Sequence, residues 1–343
     1  MARSGRVARR ALVSTFLLLA QARLALADPA VTLRMSTIAP VGSGWARELA
    51  AFARDVEAST EGSVRVKVYY GGIAGDEFEV LDRIKRDQLD GAIGSEMCVR
   101  ISPSMKVTRI VGMFASREES AYVVTRLKPL LDQEFLRAGF INLGEATLGP
   151  EVLFTRTPVH DMTELRRQKL WIWDLDQSLA VQGEALGLHV QAAPIEKAAR
   201  LYDEHAIDGF IAIPTGALAF QWSAQVRYLE TLRLSYRNGC LIYSSRAFDA
   251  LGIEQQRIVR SAAAKLRARM DDLSARQDDA LLGGLFARQG LALVPVSEQF
   301  RFEFFDAARD TRQRLGTKVV PAALLDQVLS WLADYRAEHQ RPQ

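Results

Sequence analysis

The stretch Asp87-Gln88-Leu89-Asp90-Gly91-Ala92-Ile93 returns later in the chain as His205-Ala206-Ile207-Asp208-Gly209-Phe210-Ile211. Each copy follows a helical pattern and opens an apolar strand, which implies two similarly built α/β lobes. A weaker echo pairs Ala39-Pro40 with Ala193-Pro194, each just after a predicted strand and before a helix. Working outward from the first copy, Val31 to Thr37 reads as a strand and Ser43 to Ser59 as a helix with Trp45, Leu49, Phe52 and Val56 on one face. Val64 to Tyr70 alternates as a second strand that Gly71-Gly72 breaks. Asp76 then starts a helix carrying Phe78, Leu81 and Ile84, before the short strand at Ala92-Ile93. This β-α-β-α-β order begins a parallel sheet.

Around the second copy, strands are predicted near Val152 to Thr155, Lys169 to Trp173 and Leu188 to Ala192, with helices near Asp174 to Leu186 and Glu196 to His205. Arg237-Asn238-Gly239 reads as a turn, after which Cys240 to Ser244 is an apolar strand returning to the first lobe. Ile253 to Arg288 is a long helical stretch, and helical segments continue from Ser297 to His339. The fold class is therefore α/β in two lobes. Residues 31–151 with about 240–283 form lobe I, and 152–239 with about 284–335 form lobe II. Ligands of open α/β sheets bind beyond the carboxyl ends of strands, so the loops after Thr37, Ile93, Trp173 and Ile211 should face a cleft between the lobes.

The N-terminus indicates the compartment. Arg3, Arg6, Arg9 and Arg10 precede an apolar run from Ala11 to Ala20 and then Ala25-Leu26-Ala27, the pattern of a secretory signal peptide spanning residues 1–27. Cleavage after Ala27 and a periplasmic location are expected. The run is too short to span a bilayer, and no later stretch reaches the roughly 18 apolar residues a transmembrane helix needs, so a chain not embedded in the membrane is expected, with an uncleaved signal anchor as the alternative. Removing five arginines with the signal lowers Lys+Arg from 44 to 39 against 41 Asp+Glu, a net charge of about −2. The apparent basicity belongs to the signal, and a nucleic-acid partner loses its electrostatic motive. Cys98 and Cys240 are the two cysteines, far apart in sequence. Export permits a bridge, but buried free thiols are the favoured reading, since a bridge requires Cα atoms within about 7 Å.

No phosphate loop, G-x-G-x-x-G, G-x-S-x-G or H-E-x-x-H occurs, and His160, His189, His205 and His339 are scattered. No metal, cofactor or catalytic constellation is expected, and His205 reads as a helix-end residue. Glu96 beside Cys98 lacks a nearby histidine to make a catalytic pair.

The ordered pieces resemble the periplasmic substrate-binding subunit of TRAP transporters, the DctP type, over nearly the whole chain. They are Leu33-Arg34-Met35 before Ala39-Pro40; Thr60-Glu61-Gly62 before the strand at 64–70; Leu89-Asp90-Gly91-Ala92-Ile93; Thr155-Arg156-Thr157-Pro158-Val159 before Glu164-Leu165; Lys169-Leu170; and Ile207-Asp208-Gly209. The resemblance implies a two-lobed periplasmic binding protein fold that hands a small-molecule ligand to TRAP membrane subunits, driven by an ion gradient. It also implies an arginine two residues after the lysine matched by Lys169, forking a substrate carboxylate; here that position is Trp171. The polar residues after Asp-Gly are replaced by Phe210, Ile211, Ala212 and Ile213, and the first-lobe Leu-Pro-Phe segment reads Val111-Gly112-Met113-Phe114.

An apolar or aromatic ligand is therefore expected. Trp171 is its main contact, with Trp173, Phe210 and Trp222 as walls and Ile213, Glu96 and Thr37 completing the site. Trp171 and Trp173 share one side of their strand, facing either the cleft or a helix. The pattern is similar to the subgroup partnered by a periplasmic TPR-repeat protein. A ligand sensor without a transporter and a periplasmic enzyme using the same cleft are the competing readings.

Overall fold

The computed structural model describes residues 30–315 and 318–339, so the expected signal peptide lies outside the described residues. In chain order the elements are β1 (Val31–Ser36), α1 (Gly44–Ser59), β2 (Val64–Tyr69), α2 (Glu77–Lys85), β3 (Gly91–Gly94), α3 (Glu96–Ile101), α4 (Arg117–Arg137) and β4 (Phe140–Thr155). Next come α5 (Met162–Arg167), β5 (Lys169–Trp173), α6 (Gln177–Ala185), β6 (His189–Ala193), α7 (Ile195–Asp203), β7 (Gly209–Ala212), α8 (Pro214–Ala219) and β8 (Tyr228–Ser244). The chain closes with α9 (Ser245–Asp249), α10 (Ile253–Ala280), α11 (Phe286–Arg288), β9 (Ala292–Val294), α12 (Glu298–Leu315) and α13 (Ala322–His339).

The Asp-Gly echo is a repeated mechanical device. β1 pairs in parallel with β2 and β3, and β5 pairs in parallel with β6 and β7. In each unit the aspartate ties the third strand to the central one: Asp90 Oδ2 accepts from Arg34 N at 2.8 Å, and Asp208 Oδ2 from Lys169 N at 2.9 Å. The glycine that follows lets a crossing strand lie close, because a Cβ on Gly91 would strike Ile242 O and one on Gly209 would strike Phe154 O. The first residue of each copy, Asp87 at φ 60° and His205 at φ 57°, turns the preceding helix through the left-handed region. The Ala-Pro echo has no such basis. Ala39 follows the central strand β1, whereas Ala193 ends the edge strand β6, the counterpart of β2.

All the strands join one sheet, ordered β2-β1-β3-β8-β4-β7-β5-β6 with β9 beside β8. Its middle is the antiparallel pair β4 and β8, long enough to serve both lobes. The first part of β4 and the last of β8 extend the β1-β2-β3 unit, and their opposite ends extend β5-β6-β7. Three register shifts, between Asn142 and Leu153, bend this ribbon where the chain passes between lobes. α10 packs Val259, Ala262, Leu266 and Met270 on lobe I, and its continuation carries Leu281 and Phe286 into the lobe II core.

Three sequence expectations are corrected here. Arg237-Asn238-Gly239 is no turn but the middle of β8, because pairing with Thr147, Ala146 and Gly149 of β4 overrides the local turn preference. Cys98 and Cys240 are bridged, with Cα atoms 5.9 Å apart. The register explains it: Cys240 pairs with Gly94 at the end of β3, and α3 begins two residues on, so its first turn carries Cys98 back over Cys240. Finally, the sequence reading places residues 284 to about 335 in lobe II. α12 packs there through Phe300, Phe304 and Ala308, but α13 sets Leu324, Val328 and Leu332 against Val123, Leu127 and Leu131 of α4 in lobe I.

Two buried acids give the fold an inverted pH response. Burial pushes Glu230 up to about 7 although it accepts from Thr155 Oγ1 and Val159 N, and pushes Asp278 up to about 7 despite its pairing with Arg117. The folded state thus holds these protons more tightly than the unfolded chain. Their contribution is complete below the unfolded carboxyl range and is lost as pH rises through about 7. The melting temperature is expected to fall by about 5 °C between pH 5.5 and 8, and a Glu230→Gln/Asp278→Asn double variant should lose at least half of that slope. A melting temperature that rises over this interval would contradict the assignment.

Candidate functional site

A cavity of about 140 Å³ lies at the strand ends between the lobes. Lobe I contributes the turn after β1 (Thr37, Ile38, Ala39), the end of β3 (Ile93, Gly94, Ser95) and Trp45 and Leu49 of α1. Lobe II contributes Trp171 and Trp173 of β5, Leu179, Ile195, Ile211 to Ile213, Phe220 and Trp222. The loops expected after Thr37, Ile93 and Ile211 reach it, whereas β5 contributes Trp171 and Trp173 themselves and the loop after Trp173 does not line it. The crossing strands form the floor with Leu148, Glu151, Arg237 and Gly239, and Leu266, Arg267 and Met270 of α10 close the far end.

The aromatic wall is built in layers. Trp171 and Trp173 share a face of β5 and both line the cavity. The Trp171 indole N–H donates to Ala193 O at 2.9 Å, so this residue presents only its ring to a ligand. Trp222 meets Trp171 edge-on at 4.8 Å, and Phe210 stacks on the other side of Trp222 at 5.3 Å and 4°. Phe210 itself lies between Trp222 and Tyr202 and does not line the cavity. The expectation that it forms a cavity wall is therefore corrected: Phe210 shares the face of its register partner Trp171, but Trp222 and Tyr202 stack over its ring, and Ile211 to Ile213 reach the space instead. Thr37 lines the cavity, but its hydroxyl is engaged by Ala39 N at 3.1 Å.

Glu96 also stands behind the wall. It is fully buried and paired with Arg109 at 2.8 Å and with Arg237. Burial raises the pKa of its carboxyl, while the guanidinium groups of Arg109 and Arg237 pull it back toward the charged form. Arg237 was missed because its tripeptide reads as a turn; the alternation Leu232, Leu234, Tyr236 was the signal that the strand continued. Its guanidinium binds Glu151 through Nε at 2.8 Å and through Nη2, Asp176 at 2.7 Å and Glu96. Burial opposes its charge, yet these three carboxylates hold it protonated well above the ordinary arginine range. Glu77 is the remaining acid at the cavity. Burial raises its pKa, and Ser95 N and Met97 N donate to it at 2.9 and 2.8 Å.

The site thus offers an apolar enclosure whose charged groups are mutually satisfied at the floor. Among the described residues no group of His, Cys, Asp and Glu is arranged to hold a metal ion, and no helix is long and apolar enough to cross a membrane.

Comparison with known proteins agrees with this architecture. No curated protein matches the chain. It is similar in structure to a Bordetella pertussis extracytoplasmic solute receptor binding pyroglutamic acid (TM-score 0.81, 19% identity, 89% of this chain and 100% of that one). It is likewise similar to the sugar acid binding protein of Advenella mimigardefordensis in complex with galactonate (TM-score 0.82, 16% identity, 90% and 99%). A TRAP periplasmic solute-binding protein of Haemophilus influenzae with bound L-gulonate gives TM-score 0.81 at 14% identity, over 89% and 99%. At these identities the likeness speaks to the fold. The family assignment comes from the sequence model of DctP, bacterial extracellular solute-binding protein family 7, which matches residues 35–317. With most of the chain inside that match, the resemblance read from the sequence becomes a membership: the chain belongs to the DctP family of bacterial extracellular solute-binding proteins, binding proteins and not enzymes.

Proposed function

We propose that the protein is the solute receptor of a TRAP-type secondary transporter and that its lobes close on a predominantly apolar or aromatic ligand. The observation that carries this reading is Trp171, an indole whose N–H is already bound to Ala193 O, at the position where the resemblance implies a carboxylate-gripping arginine. The structural neighbours named above hold acids. In this chain Trp173, Ile213, Phe220 and Trp222 surround Trp171 instead. The cavity is close in size to the roughly 150 Å³ apolar cavities that accept benzene, so an aromatic ring or short branched chain fits the enclosed part. Burying about 100 Å² of ligand apolar surface contributes roughly 2.5 kcal/mol, a useful affinity increment without an ion pair. The bent β4/β8 ribbon supports closure about a hinge, and a TPR-repeat protein as a further periplasmic partner rests on the resemblance to the TPR-partnered subgroup.

Calorimetry on the mature protein with a panel of aromatics, fatty acids and organic acids tests this. Apolar compounds should bind, contract the protein in small-angle scattering, and lose about tenfold or more in affinity in Trp171→Ala. Tight binding of a small carboxylate that survives Trp171→Ala would overturn the apolar reading.

A further inference from the structure

We propose that Arg237 sets the specificity of the cleft by being liganded from within: Glu96, Glu151 and Asp176 occupy its guanidinium as a substrate carboxylate would, so the cleft refuses small organic acids. The proposal rests on the apolar reading and explains how an arginine can line such a cavity without attracting anions.

The three carboxylates arrive from three elements and are each held by a second anchor. Glu151, on β4, also accepts from Ser235 Oγ. Asp176 caps α6, its other oxygen accepting from Leu179 N at 2.9 Å. Glu96, at the head of α3, is shared with Arg109 at 2.8 Å. Their side chains are 3%, 1% and 3% exposed, so the fold positions them whether or not a ligand is present. Glu151 covers the edge of the guanidinium formed by Nε and Nη2, the forked edge that grips a carboxylate in bidentate fashion. An incoming acid would have to displace a tethered carboxylate and sit beside the others, with Glu77 also on the cavity surface. Like charges at such range in a desolvated site repel. A neutral apolar molecule meets no such conflict. Arg267, the other guanidinium on the lining, is half exposed and pairs with Asp271 at 3.5 Å at the α10 end, away from this cluster.

Removing the internal competitor should therefore create an acid site. Wild type, Glu151→Ala, Glu151→Gln and Glu151→Ala/Arg237→Gln proteins, each checked for a cooperative melt, would be titrated with galactonate and pyroglutamate by calorimetry. The neutral probe N-phenyl-1-naphthylamine would be titrated in parallel by fluorescence. Glu151→Ala should gain about 100-fold or more in affinity for the acids, Glu151→Gln a smaller gain, and the double variant none. Acid binding by wild type that is weakened in Glu151→Ala would overturn the proposal, as would a folded Glu151→Ala and Glu151→Gln pair that both still ignore acids. Probe binding to wild type reports on the apolar reading alone. Probe binding without an acid gain sinks only the Arg237 assignment, whereas wild-type acid binding without probe binding sinks both.

Discussion

Replacing Cys98 and Cys240 together by alanine is expected to destabilise the protein by about 3–5 kcal/mol and to lower its melting temperature by about 10 °C. The bridge closes a sequence separation of 142 residues, so its loss releases a large loop in the unfolded ensemble. It also joins α3 to β8 beside the cavity. Without it the short α3, which carries Glu96 and caps Glu77 through its first amides, is tied to β8 only through the Arg237 and Arg109 pairs and packing. Ligand affinity should fall alongside stability. Thermal melts of wild type with and without reductant, set against the double variant, check this. A double variant that melts with the oxidised wild type would remove the bridge from the stability of the fold.

The second large effect concerns Phe210. Truncation to alanine is expected to cost about 3–5 kcal/mol, because a fully buried ring stacked between Tyr202 and Trp222 leaves a void that neighbours on two sides cannot fill. Phe210→Leu should cost less than half as much, since most of the volume is kept. Trp173→Ala, at the cavity surface and already facing open space, should perturb stability less than Phe210→Ala while weakening ligand binding more directly. Urea unfolding of the three variants separates the roles. A Phe210→Ala protein with wild-type stability but no ligand binding would return Phe210 to the cavity wall.

The contrast between Phe210 and Ile213 marks how far sequence carries. Both stand in the same apolar segment after Asp208-Gly209, and no local pattern shows that Tyr202 and Trp222 will cover Phe210 while Ile213, just past the strand, stays at the cleft. Trp171 and Trp173 could be placed together by period-two alternation, and they are together. That both line the cavity depends on how Trp222 packs edge-on against Trp171, a contact no local pattern encodes. Arg237 shows the opposite failure: a tripeptide rich in turn chemistry was straightened by an extended partner strand, and with it a charged centre went unseen.

The sequence by itself determined the α/β class, the doubling of the unit around Asp90-Gly91 and Asp208-Gly209, the strand ends that meet at the cleft, and the family. These follow from local periodicity and from residues whose job is done within their own unit. Only the tertiary structure decided that Cys98 meets Cys240, that α13 returns to lobe I, and that Arg237 is surrounded by Glu96, Glu151 and Asp176. Each of these depends on register across the β4/β8 ribbon or on helix docking. Such long-range packing joins residues far apart in sequence, and no local pattern encodes which distant partner a side chain will find.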